Sequence, residues 1–172
     1  MLASDGSDFE IVVFDEGVHD ITEMTKCIRA AYKLLSDMGL RYWATHQDEK
    51  DTLKRATKGL CFLALNNGKI LGTIAYHPPH IASGCSWYDR NEIAAFHQFA
   101  VWPDLQEVGI GSALLQFVED RARDDGAEEL ALDTAEPATH LISMYEKRGY
   151  RFIEYADWES TNYRSVIMSK KL

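Results

Sequence analysis

Apolar positions along the chain recur with two periods, near two and near 3.6, and each change of period marks a new element. Phe9 to Phe14 reads as a first strand after a small polar lead, residues 1–8, expected to be mobile. From Asp20 to Met38, the residues Ile21, Met24, Ile28, Ala31, Tyr32 and Leu35 fall on one helical stripe, and Gly39 stops it. Leu40 to Trp43 is a short aromatic connector. A second, more polar helix runs from Thr45 or His46 to Lys58 and ends at Gly59. Leu60–Leu65 and Lys69–Tyr76 alternate as strands joined by Asn66-Asn67-Gly68, residues that tolerate the positive φ of a tight hairpin.

His77 to Asn91 is a loop carrying Trp87 and Tyr88. Ala95 to Val101 is a dense apolar run, read as a central buried strand that Pro103 stops, because proline has no N–H to give a ladder. The turn Gln106-Glu107-Val108-Gly109-Ile110-Gly111 follows. It opens directly into a helix whose apolar face is Ile110, Leu114, Leu115, Val118 and Ala122. Beyond Gly126 come a strand at Glu129–Thr134, a helix at Ala138–Lys147, and strands at Tyr150–Trp158 and Ser165–Lys170. The order β-α-α-β-β-β-α-β-α-β-β predicts one mixed α/β domain spanning residues 1–172. No repeat, linker or low-complexity stretch interrupts it.

A strand that ends in a glycine-bearing turn and then opens a helix has chemical consequences. The first N–H groups of a helix lack partners and sit at the positive end of its dipole, so the turn can cradle a phosphate. It is not a nucleotide P-loop, since no Gly-Lys-Ser/Thr follows. Nor does it match the dinucleotide fingerprint, because bulky Leu114 stands where a small third residue is needed.

The larger pattern is more specific. Gln106-x-x-Gly109-x-Gly111, preceded by Phe99-Ala100-Val101-x-Pro103, resembles motif A of the GNAT N-acetyltransferases. Leu141 to Tyr150, L-I-S-M-Y-E-K-R-G-Y, resembles the helix-and-turn signature near that family's C-terminus, and the two stand in the family's order. The resemblance implies a mainly antiparallel central sheet with a splayed parallel pair, flanked by about four helices. It also implies transfer of an acetyl group from acetyl-CoA to a primary amine by direct attack. The diphosphate would rest on the amides of Gln106, Val108, Gly109, Ile110 and Gly111, with the Ser112 hydroxyl helping, while Phe99 and Val101 pair with the pantetheine arm and the Val101 N–H faces the thioester oxygen. Two departures stand out: Asp104 and Glu107 are acidic where the family often has Arg or Lys, and Ala138 replaces a frequent Asn.

By the same resemblance Tyr145 holds the general-acid position, and a neutral phenol can protonate a thiolate of similar basicity. His97 is the first candidate for the base. Strand alternation puts it on one face with Phe99 and Val101, and a histidine of ordinary pKa ~6.5 accepts a proton near neutrality. Glu92, where the strand begins, is the second candidate, acting through water; some family members have no dedicated base. The acceptor would meet Tyr42, Trp43, His77, His80, Trp87 and Tyr88, with Asp89 and Glu92 as acidic neighbours for a cation.

Composition narrows the alternatives. With 46% hydrophobic and 26% charged residues in 172, the chain is that of a soluble globular domain. No apolar run approaches a membrane span and no leader is evident, so no membrane association and a cytoplasmic location are expected. A net charge of −9 argues against nucleic acid and leans toward a cationic acceptor. Cys27, Cys61 and Cys85 form no pair of metal-ligand spacing, so neither a disulfide framework nor a metal site is expected. The acceptor, a small molecule or a peptide amine, is left open, and a homodimer is an expectation of the family. Two rival readings remain: a catalytically silent acyl-CoA sensor and a nucleotide-phosphate binder.

Overall fold

The computed structural model describes Met1 and residues 8–172, so the expectation of a mobile lead falls mostly outside the described residues. Seven strands form one sheet: β1 (Glu10–Val13), β2 (Leu60–Asn66), β3 (Lys69–His77), β4 (Ile93–Val101), β5 (Glu129–Ala135), β6 (Arg151–Asp157) and β7 (Arg164–Lys171). Their order is β1-β2-β3-β4-β5-β7-β6, antiparallel throughout except for the parallel pair β4 and β5. The helices are α1 (Ile21–Ala31), α2 (Lys33–Asp37), α3 (Glu49–Ala56), α4 (Ile110–Asp124) and α5 (Thr139–Glu146).

Local chemistry accounts for most boundaries. The Asp20 carboxylate accepts from the Thr22 and Glu23 amides and starts α1. Asp48 and Asp51 form a reciprocal capping box, so α3 begins later than the hydrophobic pattern suggested. The β2–β3 hairpin turns on Asn67 and Gly68, both at positive φ, as their sequence required. The single helix expected from Asp20 to Met38 is broken at Tyr32, because its halves bury against different partners. Met24 and Ile28 pack on Cys61, Leu63 and Ala100, whereas Leu35 joins Leu40 and Tyr42.

α4 and α5 cover one face of the sheet, where Phe62, Ile74, Ala94, Phe96 and Leu130 meet Ile110, Leu114, Val118 and Tyr145. α1 and α3 cover the other face over β2 to β4. Beyond them the 78–92 loop closes the same face, placing Ala82 and Tyr88 on Ile93, Ala95, Ala131 and Ile167.

Two irregularities shape the middle of the sheet. β4 pairs with β5 only from Ile93 to Ala95, opposite Glu129 to Ala131; past that point the strands part. β4 also carries a bulge. Its register against β3 slips between Ala75, opposite His97, and Thr73, opposite Ala100, and Gln98 adopts φ 49.

Candidate active site

Where β4 and β5 part, a cavity of about 440 Å³ opens through the sheet. Successive residues of each strand line it from opposite faces: Phe96 and His97 on β4, Leu132 and Asp133 on β5. Tyr145 reaches it from α5, Lys54 and Arg55 from α3, and Lys58 from the turn that follows α3.

The bulge overturns one step of the sequence argument. Regular alternation would set His97 beside Phe99 and Val101. With Gln98 left-handed, Phe99 and Val101 instead pack with Phe96 toward α4, and Phe96 and Phe99 meet edge to face at 6.0 Å. His97 faces the other side, against Tyr88 (ring centroids 5.9 Å) and His77 (4.7 Å). Its Nδ1 lies 3.6 Å from Asp133 Oδ1, within ion-pair range and long for a hydrogen bond.

Asp133 is the site residue the sequence reading missed. Burial alone would push its carboxyl up, but the His97 contact and hydrogen bonds from Trp158 Nε1 (3.2 Å) and Tyr88 Oη (3.3 Å) outweigh that and hold it below its usual value. It therefore stays ionised beside Nδ1 of His97, with Nε2 at the far side of the ring. His77 is driven down to about 3, first by burial and then by the charges of His97, Lys58 and Arg55, so it is a neutral neighbour.

Tyr145 is 7% exposed, packed against Phe96 and Tyr150, and among the described residues its hydroxyl has no hydrogen-bond partner. Burial, then the nearby Tyr32 and Tyr42, raise its pKa far above that of a free phenol, so it holds its proton until a strong base is presented. Glu92 is not brought to the cavity. It lies where β4 starts, on the surface, with Arg90 Nε 2.7 Å from its carboxylate, which is held below its ordinary pKa by that arginine. Of the expected acceptor-side residues, Tyr42, Trp43, His77 and Tyr88 line the cavity. His80 and Asp89 are exposed away from it, and Trp87 lies under Arg90, 4.3 Å from the ring centre. Among the described residues no group of three or more His, Cys, Asp and Glu could hold a metal ion, and no helix is long and apolar enough to cross a membrane.

The glycine turn lies at the C-terminal side of β4. Glu107 (φ 69) and Gly109 (φ 97) are both left-handed, and such turns point successive N–H groups into one concavity. α4 then starts without a side-chain cap, and its first backbone bond runs from Ala113 N–H to Gly109 O, so the amides of Ile110, Gly111 and Ser112 have no carbonyl of the helix to bond. A methyl group on Gly109 would meet nothing, whereas one on Gly111 would come into ordinary contact with Phe99 and Val101. Asp104 and Glu107 are exposed, and a cation that the sequence reading did not assign there stands close by: Arg148 Nη2 donates to Ser112 Oγ at 3.2 Å. Trp102 N–H turns toward β3 to bond Leu71 O, so alternation leaves the amides of Val101 and Phe99 on the parted edge of β4; the Val101 carbonyl there accepts from Gln106 Nε2 at 3.3 Å. These donors fit a diphosphate with a strand-like arm beyond it.

Comparison with known proteins gives the class. The model of the acetyltransferase (GNAT) family matches residues 25–150. S-(2-succino)cysteine N-acetyltransferase of Bacillus subtilis is 30% identical over 144 residues, covering 76% of this chain and 78% of that protein. S-alkylcysteine N-acetyltransferase of the same organism is 24% identical over 161 residues, covering 90% and 85%. A GNAT acetyltransferase of Elizabethkingia anophelis, solved with acetyl-CoA bound, superposes with a TM-score of 0.64 at 20% identity, over 95% of this chain and 98% of that one. The chain belongs to the GNAT acetyltransferase family. It is an N-acetyltransferase, and acetyl-CoA is its cosubstrate.

Proposed function

We propose that the enzyme acetylates the primary amine of a small molecule by direct attack, with His97 as base and Tyr145 as acid on the two sides of one slot. The observation that carries this is the passage through the sheet: consecutive residues Phe96 and His97 face it from opposite sides, and Tyr145 faces it from the α5 side. Bound acetyl-CoA supplies the activated acetyl group. Amides of the Val108–Gly111 turn, with Arg148 and Ser112, hold its diphosphate, and the Phe99 and Val101 edge aligns the arm; fixed backbone donors suit this because they do not titrate. His97 Nε2 takes the proton that the attacking nitrogen loses as the N–C bond forms. Asp133 orients the ring and stabilises the cation that results. Tyr145 gives a proton to the departing sulfur as the C–S bond breaks. The two related enzymes named for cysteine derivatives support a small molecule over a peptide as acceptor.

The test is thiol release from acetyl-CoA with a panel of primary amines. Turnover that falls about 100-fold or more in His97→Gln, with acetyl-CoA still saturating, is the expected result. Saturation without thiol release for any amine would instead make the protein a silent binder.

A further inference from the structure

The walls of the cavity are not uniformly acidic, despite a chain charge of −9. α3 turns Arg55 inward, half-buried, with Lys54 and Lys58 at the rim. Among the described residues no carboxylate lies within salt-bridge distance of Arg55. Its one side-chain partner is neutral: Nη1 donates to Gln47 Oε1 at 2.7 Å. Cations taken out of water are ordinarily paired, and a guanidinium offers five donors.

The hydrogen bonds behind Arg55 run in a fixed sense. Because Arg55 donates to Gln47 Oε1, the Gln47 amide group must donate onward, to Thr52 Oγ1 (2.8 Å) and to Gln98 Oε1 (2.7 Å). That orientation leaves Gln98 Nε2 as a buried donor with no partner, on a side chain that is 2% exposed and lines the same cavity. Gln98 is the bulge residue, held in a left-handed conformation that brings it to this face. One amide, Gln47, thus braces two donors whose capacity is unfilled, a guanidinium and a carboxamide, beside the slot where His97 and Asp133 wait.

We propose that Arg55 and Gln98 form an oxyanion subsite, so that the acceptor is an amine that also carries a carboxylate or phosphonate. Arg55 grips the oxyanion through its fork, Gln98 Nε2 adds a donor, and Asp133 lies with His97 at the amine end. The acceptor is then zwitterionic, held between a fixed cation and a fixed anion. This corrects the expectation of a cationic acceptor among Asp89 and Glu92: overall charge describes the surface, whereas recognition is set by the few groups inside the slot. The inference rests on the acetyl-transfer reading of that slot.

Matched pairs of acceptors test it: an amino acid against the amine left by removing its carboxylate, and an aminoalkylphosphonate against the plain alkylamine. The expected result is a kcat/KM higher by roughly 10- to 100-fold for the member with the oxyanion, as charge-assisted hydrogen bonds predict. The two pairs distinguish carboxylate from phosphonate as the preferred group. Arg55→Met should remove most of the preference through KM, and Arg55→Lys should restore part of it. General attraction to an acidic protein favours the plain amine, so it predicts the opposite ranking. Equal or better use of the plain amines, or a ratio unchanged in Arg55→Met, overturns the subsite. Acetylation of the plain amines would meanwhile report on His97 and Tyr145 separately. If Arg55→Met fails to fold, the ratio in the unaltered enzyme still decides.

Discussion

Removing the Tyr145 hydroxyl separates chemistry from packing with a single atom. In Tyr145→Phe the ring remains between Phe96 and Tyr150, with centroids 6.0 and 5.8 Å away, and no apolar surface is uncovered. The lost hydroxyl has no partner among the described residues, so no donor or acceptor is orphaned. Stability should therefore change by less than about 1 kcal/mol. Under the proposed acid role, in contrast, proton delivery to the leaving sulfur should disappear. A positioned general acid contributes roughly 100- to 10,000-fold, or about 3–5 kcal/mol of transition-state stabilisation. Steady-state thiol release at saturating acetyl-CoA and amine measures the loss in kcat, and thermal unfolding measures the stability. A kcat within about threefold of the unaltered enzyme would refute the acid role and leave Tyr145 as packing. A large drop in unfolding temperature would refute the claim that the hydroxyl is free.

Three further outcomes follow from the same geometry. Tyr42 presents the opposite case: its hydroxyl accepts from the Ala135 N–H at 2.8 Å and pairs with Thr134 Oγ1 at 2.9 Å, so Tyr42→Phe should cost about 1–3 kcal/mol in chemical denaturation. Gly109→Ala meets no steric obstacle but strains a backbone at φ 97, at a cost of about 1–2 kcal/mol, and should raise the KM for acetyl-CoA several-fold while leaving the ratios between acceptors unchanged. His77 is neutral in the fold, with its pKa driven from 6.5 to about 3, so the unfolded chain binds more protons as pH falls through that window. Stability should decline between pH 7 and 5 with a slope approaching 1.4 kcal/mol per pH unit near pH 5, and His77→Gln should flatten it; an unchanged slope would assign the loss to other groups.

Much of the frame was legible because local signals agreed with the global fold. The Asn67-Gly68 turn, the apolar stripe from Ile110 to Ala122 and the stop at Pro103 each admit few alternatives. The two signature blocks located the turn and Tyr145. Three things were hidden for physical reasons. A bulge is usually flagged by glycine, and here Gln98 takes the left-handed conformation, so His97 was assigned the wrong face. Asp133 follows the apolar run Leu130-Ala131-Leu132, where an acid inside a buried strand was the available clue. Arg55 belongs to a helix so polar that its charges read as a solvated surface, and only the packing of α3 on α1 beside the sheet turns it inward. Arg148 stood inside a recognised signature, yet its proximity to Ser112 is set by the approach of two distant segments.

The bulge has a consequence for how this strand can vary. Before Gln98, odd-numbered positions of β4 look toward the α1–α3 layer; after it, odd-numbered positions look toward α4 and even-numbered Ala100 takes the other side. The strand changes parity midway, so the consecutive residues His97 and Gln98 share one wall while Phe96 and Phe99 both face α4. Deleting Gln98 would remove the bulge and return the strand to regular alternation, with Phe96, Phe99 and Val101 still toward α4 and Ala100 still opposite. The extra residue is therefore what adds a second polar side chain, beside His97, to one wall of the slot without moving the apolar face of the strand.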